Sequence, residues 1–166
     1  TSMDGYGNLV SHFVNMSGQT IMPAQVVVLD KSNTLSITLS GGLDNADVIG
    51  VATESAAPSA LTPVKTSGMV YARLIAETEN IAIGDWLTTS SYSGFATKLS
   101  TSASRFARST VSLTVGSSGI YYINVDALSS TITDHNHDGS VAGNGGALGD
   151  NVVKGNMVDE TDSFNM

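Results

Sequence analysis

The chain has 166 residues, with 15 Asp and Glu against seven Lys and Arg, a formal net charge of −8 at pH 7 and no cysteine. That length fits one domain, or one domain with tails, and can bury a core without cross-links. Disulfides, cysteine-held zinc and thiol nucleophiles are excluded, a nucleic-acid binder lacks its basic footprint, and no apolar run approaches the ~20 residues of a membrane-spanning helix.

Residues 1–19 read as a short, irregular N-terminal arm. They have neither a basic n-region nor an apolar h-region, so no secretory signal is expected. Leu9, Val10, Phe13, Val14 and Met16 are too few to bury one another. Phe13, Val14 and Met16 are therefore expected to dock on a neighbouring molecule. Asn15-Met16-Ser17 fits a glycosylation acceptor, which carries little weight without a secretory signal.

Residues 20–126 read as a packed body made of strands. Val26–Leu29 is a short apolar run closed by the turn residues Asp30-Lys31-Ser32-Asn33. Leu35, Ile37 and Leu39 alternate with Thr34, Ser36 and Thr38, the period of a half-buried strand. Val48–Ala52 is a further apolar segment. Val70, Ala72 and Leu74 alternate with Tyr71 and Arg73. Trp86–Thr89 follows a Gly84-Asp85 turn. Val111, Leu113 and Val115 alternate again, and Gly116–Gly119 reads as a hairpin turn that returns through Ile120–Val125. Short helical turns are expected only at Ser100–Arg108 and near Asp44–Asp47. With 23 Ser, 17 Thr and only 13% charged residues, the composition suits strands better than helices. The expected fold is all-β, a small β-barrel or β-sandwich, without internal repeats.

Residues 127–166 carry six acids, one base and six glycines, and read as an extended, irregular acidic arm. Within it, Asp134-His135-Asn136-His137-Asp138-Gly139 admits three readings. Asp134, Asn136 and Asp138 before a Gly match the front half of a calcium loop, although the glutamate expected at its end is Gly145 here. His135 and His137 could converge on a transition metal if three chains met on an axis. The leading reading is a polar turn with no bound ion, so no cofactor or metal is assigned. No phosphate loop or Gly-x-Ser-x-Gly occurs, and Asp85, Glu77 and Glu79 read as turn or solvated strand-end residues. No catalytic residue is assigned and no enzymatic activity is expected.

Several short signatures fall in one order. Val26-Val27-Val28-Leu29-Asp30 resembles the opening strand of the small β-domain of lambda-type head decoration proteins of tailed phages. Asp47-Val48-Ile49-Gly50-Val51-Ala52 resembles the strand that follows, and Pro63–Val70 a later one with its Ser-Gly step. Ile83–Ser91 with Ser93-Gly94-Phe95-Ala96 resembles a Gly-Asp hairpin found in decoration-like capsid proteins and in β-domains of phage fibres. The resemblance covers about residues 20–126. The long Gly-rich acidic arm departs from the decoration pattern, and its segment His135-Asn136-His137-Asp138-Gly139 looks more like those in tail-fibre chains. The resemblance implies a virion structural protein on the outer capsid surface. It would decorate and stabilise the capsid by bridging neighbouring subunits, with the major capsid protein as partner, as a homotrimer, and with no nucleic acid or membrane partner. The alternative is a β-domain of a trimeric tail or head fibre involved in host adsorption. Trp86, Tyr92 and Phe95 lie near one hairpin and join Phe13, Val14 and Met16 as expected interface residues.

Overall fold

The computed structural model describes residues 2–3, 9–101 and 103–126. Over these the chain is all-β, with eleven strands and no helix. In order they are β1 (Ser2–Met3), β2 (Leu9–Asn15), β3 (Val26–Leu29), β4 (Ser36–Leu39), β5 (Val48–Ala52), β6 (Leu61–Lys65), β7 (Ser67–Ile75), β8 (Trp86–Thr89), β9 (Ala96–Thr97), β10 (Ala107–Ser109) and β11 (Ser118–Asp126). They make two five-stranded barrels. The first has the order β2-β4-β3-β5-β6 and closes through β2–β6, with β1 added beside β2. The second closes in the order β10-β11-β7-β9-β8. Thr66 alone separates the last strand of one from the first strand of the other.

The second barrel repeats the topology of the first. Each opens with a strand that pairs in parallel with its third and antiparallel with its fifth. The parallel contacts coincide: Val14 pairs with Ser36, and Leu74 with Ala96, both members sixty positions on. A shared turn starts the second strand of each barrel. Met22-Pro23-Ala24-Gln25 and Ala82-Ile83-Gly84-Asp85 both place their third residue at positive φ, 73° for Ala24 and 90° for Gly84. The N–H of the fourth residue bonds to the first carbonyl, at 3.3 and 3.1 Å, as in a type II turn. The Gln25 and Asp85 side chains each accept the first residue's N–H at 2.7 Å. This repeat corrects the expectation of none. It was hidden because barrel topology constrains which positions are apolar, not which residues fill them.

Alternation along the strands builds two cores. Ile21, Val27, Ile37, Ala52 and Val64 fill the first barrel, with Phe13, Leu39 and Ile49 packed against them. Leu74, Ile81, Leu87, Phe106, Ile123 and Val125 lie in the larger cluster of the second. Val26, Val28, Val48 and Val51 of the first barrel join that second cluster. Val27 therefore faces its own barrel while Val26 and Val28, on the opposite face of β3, face the other. Each fully buried side chain of this size contributes about 1.5–3 kcal/mol. Backbone bonds across the junction support the packing, including Val26 N–H to the Gly94 carbonyl and Arg73 N–H to the Ala24 carbonyl, both 2.9 Å.

Three expectations are corrected. Residues 9–15 belong not to a loose arm but to β2, which closes the first barrel between β4 and β6. Their apolar residues come as doublets, Leu9-Val10 and Phe13-Val14, which hides strand alternation. Val111–Val115 is not a strand: only Leu113 pairs, in a lone bridge to Ile81. The partners of β11 are β7 and β10. Thr114-Val115-Gly116-Ser117 instead forms a third positive-φ turn, with Gly116 at 93°. No helix forms at Asp44–Asp47 or among the described residues of Ser100–Arg108, whose end belongs to β10.

Candidate functional site

The outer face of the β7–β11 pair carries an exposed, stacked aromatic pair. Tyr71 and Tyr122 stand opposite each other in register, because residues of matching parity on paired strands share a face. Their rings stack with centroids 3.9 Å apart and planes inclined by 26°. They are 53% and 44% exposed, and Met69 and Ile120 beside them are 41% and 53% exposed. Inward neighbours Val70, Ala72 and Ile123 hold the same strands in the core.

These side chains form one wall of an open groove of about 500 Å³. Pro23 and Ala24 from the first barrel's turn, with Thr53 and Lys65, form the other. The groove thus runs along the junction of the two barrels. Among the described lining residues its single charge is Lys65, whose Nζ donates to the Met69 carbonyl at 3.2 Å. An apolar trough with stacked tyrosines and one cation suits burial of an apolar or aromatic partner surface.

A second cluster lies on the outside of β8 and β10. Trp86 and Arg108 are paired in register. The Arg108 guanidinium sits 4.3 Å from the indole centroid and that of Arg105 5.1 Å from it. The indole is half-buried while both arginines are exposed. Arg108 also reaches the Gly84 carbonyl, at 3.4 Å.

The other expected interface residues are dispersed. Phe13 packs partly into the first core, Val14 is half-buried on β2, and Met16 is exposed just beyond it. Tyr92 is exposed in the turn between β8 and β9, whereas Phe95 is half-buried there. Trp86 lies at the opposite end of β8 from that turn. Asn15 has a structural place. It is fully buried, its amide donates to the carbonyls of Gln19 and Ala56 at 2.8 and 3.0 Å, and its Oδ1 accepts from the Ser17 N–H and hydroxyl. That network leaves the side chain closed to glycosylation in the folded chain. Asp134, His135, Asn136, His137 and Asp138 lie outside the described residues.

Asp85 and Glu77 serve turns and loops. Burial alone would raise the pKa of Asp85, but the Ala82 N–H and Lys98, 3.1 Å away, outweigh it and hold it below the ordinary carboxylate range. Lys98 is raised in turn, chiefly by its hydrogen bond to Asp85 and also by the charges of Asp85 and Glu79. Burial likewise pushes Glu77 up, and bonds from Ser90 and Ser91 more than reverse it.

Sequence reasoning missed Met69, Tyr71, Ile120 and Tyr122 as a surface, and Arg105 and Arg108 as partners of Trp86. One signal was present: in Tyr121-Tyr122, adjacent strand residues, one ring must point outward.

No family model matches the chain, and no curated protein matches it. Among solved structures, it is similar to the N base of the head fibre protein gp8.5 of bacteriophage phi29. The TM-score is 0.49 and the identity 16%, over 72% of this chain and 96% of that one. At that identity and score the likeness carries no functional weight.

Proposed function

We propose that the chain is a structural protein of a phage virion, a non-catalytic module that decorates the capsid and bridges neighbouring subunits from outside. The observation that carries the reading is the junction groove with its exposed, stacked Tyr71 and Tyr122. A solvent-facing aromatic pair flanked by Met69 and Ile120 is costly on a lone surface and gains by being covered. The resemblance of Val26–Leu29, Val48–Ala52 and Trp86–Thr89, here strands β3, β5 and β8, to segments of head decoration proteins points the same way. Net negative charge suits an exterior position, away from packaged nucleic acid. In this reading the major capsid protein covers the groove, and three copies gather at a lattice point.

The test is to add the purified chain to particles lacking it and locate it by electron microscopy. Saturable binding on the capsid exterior, weakened at least tenfold by Tyr71→Ser with Tyr122→Ser, is expected. Density at the end of a projecting stalk would replace decoration by the fibre reading. Failure to bind any part of the particle would overturn both.

A further inference from the structure

The topological repeat gives the Trp86 cluster a meaning of its own, independent of the groove reading. Val26 opens β3 as Trp86 opens β8, sixty positions on. In the first barrel the outward face of that strand is covered: Val26 and Val28 are buried in the cluster contributed mainly by the second barrel. In the second barrel the equivalent face is only half covered. Thr88, the counterpart of Val28, shares its hydroxyl proton between Asp44 Oδ1 and the Ser104 carbonyl, at 3.3 and 3.0 Å. Trp86 is only half-buried, and the guanidinium groups of Arg105 and Arg108 lie over its ring.

The charges there are unbalanced. Lys31 pairs with Asp47 at 3.2 Å, and Lys98 with Asp85 and Glu79 at 3.1 and 3.6 Å. Arg105 and Arg108 make no ion pair within the described residues, in a chain with a twofold excess of acids. Stacking on an indole restricts a guanidinium while leaving its in-plane N–H edge free for a carboxylate. Both strands beneath are already paired on each side, β8 with β9 and β10, and β10 with β8 and β11. A ligand must therefore be read by side chains across the face, not by strand addition.

We propose that Trp86, Arg105 and Arg108 form a docking site for an acidic, extended segment of a partner protein, carrying carboxylates at alternate positions. Both guanidinium groups lie over one ring, within 5.1 Å of its centroid, and alternate residues of an extended segment project to one face, so two carboxylates of such a segment face the same pair of arginines. A protein segment fits better than a carboxylated sugar because the arginines occupy the indole surface that a sugar ring would need. It also fits the repeat, in which the equivalent face is buried by protein.

Trp86 is the only tryptophan and reports occupancy directly. The full chain is titrated with a capped peptide carrying Glu at alternate positions, with its Gln counterpart, and with oligogalacturonate, following Trp86 fluorescence. A saturable change with the Glu peptide alone is expected, weakening as salt rises. Arg105→Gln with Arg108→Gln should cut affinity at least tenfold with an unchanged circular dichroism spectrum. Arg105→Lys with Arg108→Lys should fall between, because charge remains without the fork. No saturation by about 1 mM Glu peptide, equal binding by the Gln double variant, or saturation by oligogalacturonate in place of the peptide would overturn the proposal.

Discussion

Tyr71 and Tyr122 face each other across β7 and β11 in a ring stack 3.9 Å deep on the outer surface of the second barrel. The stack ties two nine-residue strands together, yet both rings remain about half exposed. A cross-strand aromatic pair is worth about 1 kcal/mol, much less than a core side chain. Tyr71→Ser with Tyr122→Ser should therefore lower the thermal midpoint by only a few degrees, about what 1 kcal/mol shifts in a domain of this size. The same variant should lose most of its attachment to particles. Calorimetry and a particle co-sedimentation assay read the two effects separately, and a large loss of stability without loss of attachment would contradict the assignment of this face.

Gly50 sits at a close backbone approach in the first barrel. It lies on β5 beside β6, where a Cβ would overlap the Lys65 carbonyl oxygen and come within 3.1 Å of Val64 Cγ1. The obstacle is mainly backbone and cannot rotate away. Gly50→Ala should destabilise the chain by about 2–3 kcal/mol through forced separation of β5 and β6. Gly41→Ala, where nothing lies within 4 Å of an added Cβ, is the control and should change stability by about 0.5 kcal/mol or less. Urea unfolding of both variants decides the matter.

A strand whose alternation is clean, such as Ser67–Ile75, is legible in the sequence because burial on one face writes period two directly. Leu9–Asn15 is not, because Phe13 enters the core while Val14 beside it is also half-buried against the neighbouring strands. Val111–Val115 misleads in the opposite sense: its alternation suits a strand, but only Leu113 finds a pairing partner. The aromatic groove is less legible still. Tyr71 and Tyr122 are 51 positions apart, and only the β7–β11 register makes them neighbours. Trp86 was visible as an interface candidate, whereas its arginines needed the β8–β10 register.

Acid sensitivity should come from a small set of carboxylates. Asp85 and Glu77 have folded pKa values below the ordinary range near 4. Their contribution is fully present above that range and is lost as pH falls from about 4 through the depressed values. Lys98, raised in the folded state, contributes fully below its ordinary value near 10.4 and loses that contribution as pH rises through the raised one. Stability should therefore be flat through neutrality and fall at both extremes. Asp85→Asn should flatten the acid limb and return Lys98 toward its ordinary titration. Urea midpoints measured between about pH 2 and 6 test the first effect, and an Asp85→Asn curve as steep as the parent's would contradict it.

Asp44 fastens the loop before β5 to the second barrel. Its Oδ1 accepts the Ser104 N–H at 2.8 Å and the Thr88 hydroxyl, and its own N–H bonds to the Thr89 carbonyl at 3.2 Å. Its φ is 57°, a region that Asp tolerates and Ala does not favour. Asp44→Ala should therefore cost about 2–3 kcal/mol, combining backbone strain with a largely buried Ser104 N–H left without its acceptor. Asp44→Asn keeps an acceptor oxygen and the backbone preference, and should cost less than about 1 kcal/mol. Asp44→Gly relieves the strain but not the lost bonds, so the Ala–Gly difference isolates the backbone contribution. Amide exchange at Ser104 should accelerate in the Ala and Gly variants and stay near the parent rate in the Asn variant. Because Trp86 reports only the second barrel, its unfolding curve should separate from the circular dichroism curve if Asp44 couples the two barrels. Coincident curves in Asp44→Ala would mean that the shared apolar cluster of Val26, Val28, Val48 and Val51 couples them without it.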